Sequence, residues 1–319
     1  MTTGFRWIGP DRRRMARRRV TMRDVAAASG VSPATVGFVL NNTPTQTISP
    51  ATRERVEAAA KELGYVPDGI ARAMREGSSR IVVLNVDASL EGNYSRSYIR
   101  GLDDELAHHD HILVVKHGHP TKASTSQLTH MVAPRAVIDF AANYSTGREL
   151  ADGGWTDGMA AHTFVQISHL AERGHTRLAM ALPENPTAFA RVRQQFAVQS
   201  AERLGLPPLL PVTIPHPDAG VEALQGFRDH EPVTAIAGFT DELALRVLKS
   251  AQLLGLRVPD DLAVIGYDAT EYAALSTPGL TTVHIDADAH GRRAARQVLG
   301  TDAGDLTATP AHVIAREST

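Results

Sequence analysis

Three helix-start signals follow one another within the first 64 residues, and their spacing restricts the fold of this part of the chain more than any other feature. Each start has a serine or threonine able to cap the first turn, and two have proline at the first helical position, where a missing N–H costs nothing. The starts are Thr21 (with Asp24, a capping-box pair), Ser32-Pro33 and Ser49-Pro50, and glycines end the first and third helices at Gly30 and Gly64. Two short helices joined by a tight turn and braced by a third predict a helix-turn-helix.

The N-terminal end of the second helix is the part of such a motif that enters the DNA major groove. Ser32, Thr35 and the backbone amides beside them are therefore expected to hold phosphates, which fixes the register on DNA without reading its sequence. Short helices of this kind also form ordinary bundles. The pattern alone leaves DNA binding and a plain helical bundle open.

Charge is distributed unevenly along the chain. Residues 1–80 contain 14 Lys/Arg and 7 Asp/Glu, whereas the whole chain contains 33 and 35 and has a formal net charge of −2. A basic first quarter on an acidic remainder favours contact between one end and a polyanion. The arginine-rich arm from Arg12 to Arg19 would add salt-dependent attraction to phosphates. A solvated basic tail is the alternative, and if Met15 is the true start, residues 1–14 do not belong to the protein.

The composition excludes several classes of protein. The 319 residues include no cysteine, so disulfides, thiolate nucleophiles and cysteine-based zinc sites are excluded. No stretch approaches the roughly 20 apolar residues that span a bilayer, and the N-terminal arginines precede no apolar segment of a secretory signal. We therefore expect a cytoplasmic protein without membrane contact.

From Arg80 onward, short apolar runs alternate with amphipathic segments. The runs SRIVVLNV, RLAMAL, VTAIAGF and DLAVIGYD have the length and continuous apolar character of buried strands, and helical patterns lie between them. This alternation predicts parallel sheets covered on both faces. Because ligands of such folds bind at the carboxyl ends of the strands, we expect a pocket there, between two subdomains.

The chain resembles the LacI/GalR-type family of bacterial transcription regulators. Over Thr21–Gly77 the matching segments are DVAAASGVSPATV, VLN, ISPATRERVEAAAKELGYVPD and IARAMREG, and from His169 onward they include HLAERGHTRLAM and TAIAGFTDELALRVLKSAQLLGLRVPDDLAVIGYD. The resemblance is weak between Ile112 and Trp155, where part of the usual first subdomain, including a strand before Asp157, is missing. It implies an all-α helix-turn-helix head and an α/β periplasmic-binding-protein-like body of two doubly wound parallel-sheet subdomains.

The resemblance also implies how the chain is divided. A basic, disordered arm over residues 1–20 precedes a helix-turn-helix domain over 21–66, a hinge helix or linker over 67–79 and an effector-binding and dimerisation domain over 80–319. No tetramerising helix follows Ser318-Thr319. A homodimer is therefore expected.

Family positions that face DNA hold unusual residues in this chain. Pro33, Ala34 and Phe38 stand where recognition-helix side chains meet base edges, and Gly37-Phe38 replaces the usual Ser-Arg. Phe38 offers only apolar contact, for example to a thymine methyl, whereas arginine would form two hydrogen bonds to guanine. Packing of Phe38 inside the head is the alternative. The resemblance implies these DNA contacts: Thr21, Ser32, Pro33, Ala34, Thr35, Phe38, Asn41, Ala71, Met74 and Arg75.

The segment from Tyr65 to Arg75 is similar to the family's hinge, which becomes helical on operator DNA and pairs with its dimer mate in the minor groove. Met74 stands where a leucine wedge usually enters between base steps, and its unbranched apolar side chain suits that role. Arg75 would reach into the minor groove. A flexible linker with a solvated arginine is the alternative.

Effector-binding positions in the body follow from the resemblance. Arg193 matches an arginine that grips effector hydroxyls or carboxylates, and Asp268 matches an acidic contact at the end of a strand. Each has a plainer alternative, namely a surface charge for Arg193, a loop cap for Asp268, and core packing for the aromatic members. The implied set is Tyr94, Arg193, Phe239, Asp241 and Asp268.

The sequence indicates no metal site, cofactor or catalytic activity. The five histidines at positions 108–119 flank a strand without a helical i, i+4 pair, so a solvated rim is expected rather than metal ligands. Motifs for phosphate-binding loops, serine hydrolases and zinc proteases are missing. A solute-binding protein would share the body's fold but would need an export signal and lack the head.

The sequence therefore predicts a sequence-specific DNA-binding transcription regulator, with repression as the family default. Its partners would be double-stranded operator DNA of pseudo-palindromic sequence, a second copy of the chain, and a small-molecule effector such as a sugar or another metabolite. A regulator with a degenerate, ligand-independent body is the alternative, because the first subdomain is short.

Overall fold

The computed structural model describes residues 20–40, 47–65, 77, 79–87, 92–118, 122–140, 154–215, 217–302 and 304–319. The chain divides into two compact units, Met1–Ser79 and Arg80–Thr319, which we call the head and the body. No helix in these ranges is long and apolar enough to cross a membrane.

The described part of the head contains the helices α1 (Met22–Ser29), α2 (Pro33–Leu40) and α3 (Pro50–Leu63). The predicted capping residues begin them. Thr21 forms a capping box with Asp24 at the start of α1, and the hydroxyl of Ser49 accepts a hydrogen bond from the first turn of α3. Val25 of α1, Val36 of α2 and Val56 of α3 are fully buried and form the centre of one small core. The helix-turn-helix is thus held together by one apolar side of each helix.

The body begins with a parallel sheet. Its elements are β1 (Ile81–Asp87), α4 (Asn93–His108), β2 (Ile112–Gly118), α5 (Lys122–Val132) and β3 (Ala136–Asp139). The strand order is β2-β1-β3, and Val83 of the central strand lies between Val114 and Val137. The described side chains of β1 are mostly buried, whereas β2 and β3 contain exposed and partly buried positions and, in β3, the buried Ile138, as expected for strands at the edges of a sheet.

A second parallel sheet follows. Its elements are α6 (Met159–Glu172), β4 (Leu178–Leu182), α7 (Ala188–Arg203), β5 (Leu210–Thr213), α8 (Pro217–His230), β6 (Ala235–Gly238), α9 (Asp241–Leu253) and β7 (Ala263–Ile265). The strand order is β5-β4-β6-β7. Every residue of β4, β6 and β7 is buried, because α6 packs with α7 and α8 packs with α9 against the sheet. The continuous apolar runs in the sequence predicted this double-sided burial.

The chain then returns to the neighbourhood of α4, beside the first sheet. A 3-10 turn (Glu271–Ala274) and β8 (Thr282–His284) precede α10 (Asp288–Leu299), and β9 (His312–Ile314) pairs antiparallel with β8. Helix α10 packs along α4 at a crossing that only glycine permits, because a Cβ on Gly291 would lie 2.1 Å from the carbonyl oxygen of Tyr98. We call β1–β3 with α4, α5 and α10 the first subdomain, and β4–β7 with α6–α9 the second.

The predicted fold class, a helical head and an α/β body with two parallel sheets, is confirmed. The break between the two compact units lies after Ser79, and the predicted start of the effector-binding domain at residue 80 stays a prediction. The boundaries assigned to the arm, the helix-turn-helix domain and the hinge stay predictions. Much of the stretch with weak resemblance, residues 141–153, lies outside the described residues.

Candidate DNA interface and effector cleft

The N-terminal end of α2 forms an exposed tip of the helix-turn-helix. Ser32, Pro33 and Ala34 are exposed, and Thr35 is half-buried. The Ser32 hydroxyl accepts a hydrogen bond from the Thr35 amide at 3.1 Å and lies 2.9 Å from the Thr35 hydroxyl. The structure therefore brings these four predicted DNA contacts together at one helix end, where small side chains leave room for a phosphate.

Phe38 and Thr21 flank this tip in the sequence. Phe38 is half-buried, and it is not among the described apolar side chains that pack against the core of the head. This position disfavours the alternative in which Phe38 is a core residue. Thr21 is exposed, and its backbone N–H donates to the Asp24 carboxylate at 2.7 Å.

Four more predicted DNA contacts cannot be compared with the structure. Asn41, Ala71, Met74 and Arg75 lie outside the described residues. The wedge role of Met74 and the minor-groove role of Arg75 therefore stay predictions.

Arg193 lies inside the second subdomain, not at its surface. The side chain is 1% exposed. Its Nη1 donates a hydrogen bond to the carbonyl oxygen of Phe239, and its Nη2 donates to Oε1 of Gln166 at 2.6 Å. The guanidinium carbon lies 3.2 Å from the ring centroid of Tyr267, a cation–π contact. This burial excludes the plainer reading of Arg193 as a surface charge.

Gln166 is a buried polar residue that the sequence analysis missed. Its side chain has no exposed surface, and Nε2 donates to the carbonyl oxygens of Gly238 and Gly266 at 2.9 Å each. Gly238 ends β6, and Gly266 follows β7. Gln166 thus connects α6 to the carboxyl ends of two neighbouring strands. No motif marked it, because one glutamine in an amphipathic helix carries no sequence signal.

Asp241 is a buried carboxylate whose acceptor positions are occupied. Oδ1 accepts hydrogen bonds from the amide of Tyr267 at 2.7 Å and the hydroxyl of Thr282 at 2.5 Å, and Oδ2 accepts from the amide and hydroxyl of Thr270 at 2.6 and 2.8 Å. Burial raises the pKa of Asp241, and these hydrogen bonds act in the opposite direction. Since a carboxylate accepts about four hydrogen bonds, this arrangement argues against direct contact between Asp241 and an effector.

Asp268 joins the two subdomains. Its Oδ1 accepts a hydrogen bond from the amide of Tyr94 at 2.5 Å, and its carbonyl oxygen accepts one from the amide of Asn93 at 2.8 Å, both in the first turn of α4. A side chain on Gly92 would occupy the space of the carboxylate. Burial raises the pKa of Asp268 to about 7, although the hydrogen bond from Tyr94 lowers it. Asp268 therefore caps a helix of the neighbouring subdomain, a more specific role than closing its own loop.

The remaining aromatic members of the predicted set are buried. Phe239 packs edge-on against Phe189 at 5.9 Å between ring centroids. Tyr94 lies 6.0 Å from the rings of both His162 and His290, which come from α6 and α10. Burial lowers the pKa of His162 to about 3 and also lowers that of His290. Both imidazoles are therefore neutral at pH 7, and sequence reasoning had identified neither.

All five predicted effector residues converge around Tyr267. Its ring stacks on Arg193, its amide binds Asp241, and it directly precedes Asp268, which binds Tyr94. Phe239 completes the group through its contacts with Arg193. The structure thus assembles the set at the carboxyl ends of β6 and β7 and the amino end of α4. In the described ranges, this region included, no group of three or more His, Asp or Glu side chains is arranged to hold a metal ion.

Comparisons with known proteins agree with this architecture. Residues 21–68 match the model of bacterial regulatory proteins of the lacI family, and residues 167–319 match the periplasmic binding protein-like domain. The HTH-type transcriptional repressor CytR of Escherichia coli (strain K12) is 29% identical over 290 residues, covering 82% of this chain and 84% of CytR. The ribose operon repressor of the same organism is 29% identical over 307 residues, covering 86% and 90%.

A solved structure shares the fold over nearly the whole chain. The Lac repressor dimer bound to operator and the anti-inducer ONPF superimposes with a TM-score of 0.71 at 21% identity, covering 95% of this chain and 99% of that one. The resemblance predicted from the sequence is confirmed by these matches at both ends of the chain.

Proposed function

We propose that the chain is a transcriptional repressor of the LacI family of bacterial regulatory proteins, whose model its residues 21–68 match. It would bind a pseudo-palindromic operator as a homodimer, and a small molecule held in the body would change its affinity for DNA. The observation that carries the proposal is the exposed end of α2, one of the three described helices of the head, in a chain whose body has two parallel sheets.

Contact with DNA is assigned to the tip of α2. Ser32, Thr35 and the amides beside them would bind phosphates, while Pro33 and Ala34 approach base edges. Phe38 is half-buried and is not among the described side chains that pack on the head's core, so part of its ring is available to a thymine methyl. With no hydrogen-bond donor among these three side chains, we expect an atypical operator with weak direct readout at that position.

The minor-groove contacts are assigned to the hinge segment that follows α3 in the sequence. Met74 would wedge between base steps, Ala71 would lie against the neighbouring sugar and base edges, and Arg75 would reach into the groove. Asn41, which follows Leu40 in the sequence, and Thr21, the N-cap of α1, would contact the DNA backbone.

Dimerisation is supported by apolar side chains that the body leaves exposed. Contiguous apolar patches mark interaction surfaces, so these residues are the first candidates for contact with a second copy, and a twofold dimer matches the symmetry of a palindromic site. They occur in both subdomains, and among the described residues the most exposed are Ile112, Met131, Tyr272 and Leu275.

The effector is assigned to the region around Tyr267, between the subdomains. Asp268 and Tyr94 hold this region together, so a ligand that competes for the Asp268 carboxylate would alter the angle between the subdomains. Phe239 and Arg193 border this region, because the guanidinium of Arg193 lies over the rings of both Phe239 and Tyr267. A sugar or another small metabolite with hydroxyl groups has the donors that a carboxylate binds.

One observation favours a second candidate, a regulator whose body needs no ligand. Arg193 and Asp241 are hydrogen-bonded to other residues of the body, so two of the five predicted contacts are already engaged without an effector. In this case the body would serve only for dimerisation. The relatives matched above are transcriptional repressors, which supports the expectation that the chain is not an enzyme and acts in the cytoplasm, where the DNA is.

The decisive experiment is selection of bound duplexes from a random DNA pool with the full chain at physiological salt. A centred palindrome with half-sites about one helical turn apart is expected. Phe38→Arg should change the preferred base at one position of each half-site, whereas Ala58→Arg, which adds the same charge at an exposed position of α3, should not. Equal weak binding to all duplexes would contradict the proposal.

The same selection, repeated with a panel of free sugars and nucleosides, separates the two candidates. Release of the selected duplex by one compound identifies an effector. Sequence-specific binding that no compound in the panel alters favours the ligand-independent body.

A further inference from the structure

The contacts of Gln166 fix the orientation of its amide group. Both N–H groups of Nε2 point at carbonyl oxygens, those of Gly238 and Gly266, and Oε1 faces the guanidinium of Arg193. Rotating the amide by half a turn would place oxygen against two carbonyls and N–H groups against a cation. Only one orientation is therefore compatible with these neighbours.

The fixed oxygen holds Arg193 inside the body. Hydrogen bonds from a charged donor are shorter and stronger than neutral ones, and the contact between Arg193 Nη2 and Gln166 Oε1 is 2.6 Å long. The carbonyl oxygen of Phe239 accepts a hydrogen bond from Nη1 of Arg193, and the ring of Tyr267 stacks on one face of the guanidinium. The side chain is left with 1% of its surface exposed.

Tyr267 connects this arrangement to the effector region. It lies between Asp241, which accepts a hydrogen bond from its amide, and Asp268, which caps α4. A guanidinium stacked on the Tyr267 ring therefore determines where the ring lies, and the position of the ring determines the space beside Asp268.

We propose that Gln166 is a positioning residue that serves as an internal ligand for Arg193, so that Arg193 supports Tyr267 in the effector region instead of contacting the effector itself. The inference rests on the proposed effector region, and it modifies the role that the sequence predicts for Arg193. Specificity is then set by Tyr267 and Asp268, with Gln166 and Arg193 as their support.

The test measures how fast phenylglyoxal modifies Arg193 in the full chain, by peptide mass spectrometry, without DNA or effector. Arg191, exposed on the same helix, is the internal reference. In the native protein Arg193 is expected to react far more slowly than Arg191. Gln166→Met keeps the length of the side chain and removes its hydrogen bonds. The modification of Arg193 should therefore accelerate on the order of tenfold, the change in rate that corresponds to the free energy of one charge-assisted hydrogen bond.

Two further variants separate positioning from a general loosening of the fold. Gln166→Glu keeps the acceptor for Arg193 and gives it a negative charge, but it places an oxygen against the carbonyls of Gly238 and Gly266. Arg193 should stay protected although the contact with the strand ends becomes repulsive. Thr163→Val changes a fully buried polar residue one turn earlier in α6 and should leave the reaction unchanged. If Gln166→Met does not fold, Gln166→Asn, whose acceptor is set back by one methylene, takes its place.

The outcomes are distinct. Protection in the Glu variant with acceleration in the Met or Asn variant supports the proposal. Arg193 that reacts like Arg191 in the native chain, or equal acceleration in the Glu, Met and Val variants, overturns it. Because neither DNA nor effector is present, the result does not depend on whether the chain proves to be an effector-controlled repressor.

Discussion

Replacing Asp268 with asparagine is expected to change how the stability of the body depends on pH. Asparagine keeps an oxygen to accept the hydrogen bond from Tyr94, and it tolerates the left-handed backbone at this position, where φ is +86°. The substitution therefore removes the ionisable group and leaves the local structure in place. The effect of the substitution on the free energy of unfolding therefore measures what it costs to bury a charged carboxylate at this position.

The sign follows from the raised pKa. Burial raises the pKa of Asp268 from 3.8 to about 7 in the folded protein. Between these values the folded state binds the proton that the unfolded state releases, so the native body loses stability as pH rises through this window. The stabilisation is fully present below pH 3.8 and is lost above pH 7.

The magnitude follows from about 1.4 kcal/mol for each tenfold change in proton affinity. The full rise in pKa corresponds to about 4 kcal/mol, of which roughly 2–3 kcal/mol is lost between pH 5 and pH 8. The asparagine variant does not titrate here. Its stability relative to the native chain should therefore increase by roughly 2–3 kcal/mol over this interval.

Urea unfolding of the full chain at pH 5 and pH 8, followed by circular dichroism, measures this difference. Asp103→Asn, which removes an exposed carboxylate from α4, is the matched control and should show no such change with pH. Using differences between variants cancels the contributions of His162 and His290, and what remains includes the repulsion between the Asp241 and Asp268 carboxylates, which the substitution removes. A difference for Asp268→Asn that is the same at both pH values, or that decreases as pH rises, would refute the reasoning.

Three further predictions concern other parts of the chain. Met74→Gly should abolish tight operator binding in a gel-shift assay and leave weak, salt-sensitive binding; unchanged affinity would remove the wedge role. Gly291→Val should lower the free energy of unfolding of the body by more than about 3 kcal/mol, because its Cβ would lie 2.1 Å from the Tyr98 carbonyl oxygen; wild-type thermal stability would show that α10 can move. Ser49→Ala removes the cap of α3 and should cost about 1 kcal/mol, so that amide exchange in α3 accelerates roughly fivefold, whereas unchanged exchange would show that packing alone sets the helix end.

The position of the effector region was predictable in part. Asp268, Phe239 and Asp241 follow apolar strand runs, and residues that follow parallel strands meet at one edge of a sheet. Their roles were not predictable. The sequence predicts that Asp241 is an acidic residue that contacts the effector. Its hydrogen-bond partners Thr270 and Thr282 become neighbours only when the chain returns beside β7.

The sequence by itself determined the local structure of this protein. Thr21, Ser32 and Ser49 begin the head's helices because their side chains bond amides only three residues away. The continuous apolar runs likewise identified the buried strands.

Only the tertiary structure decided the surroundings of Arg193. Its partner Gln166 lies 27 residues away, and Gln166 in turn binds carbonyls 72 and 100 residues away, on strands whose adjacency follows from the sheet order. Hydrogen bonds between such distant groups leave no periodic pattern in the sequence. They depend on which strands lie side by side, and the sheet order sets that only once the chain has folded.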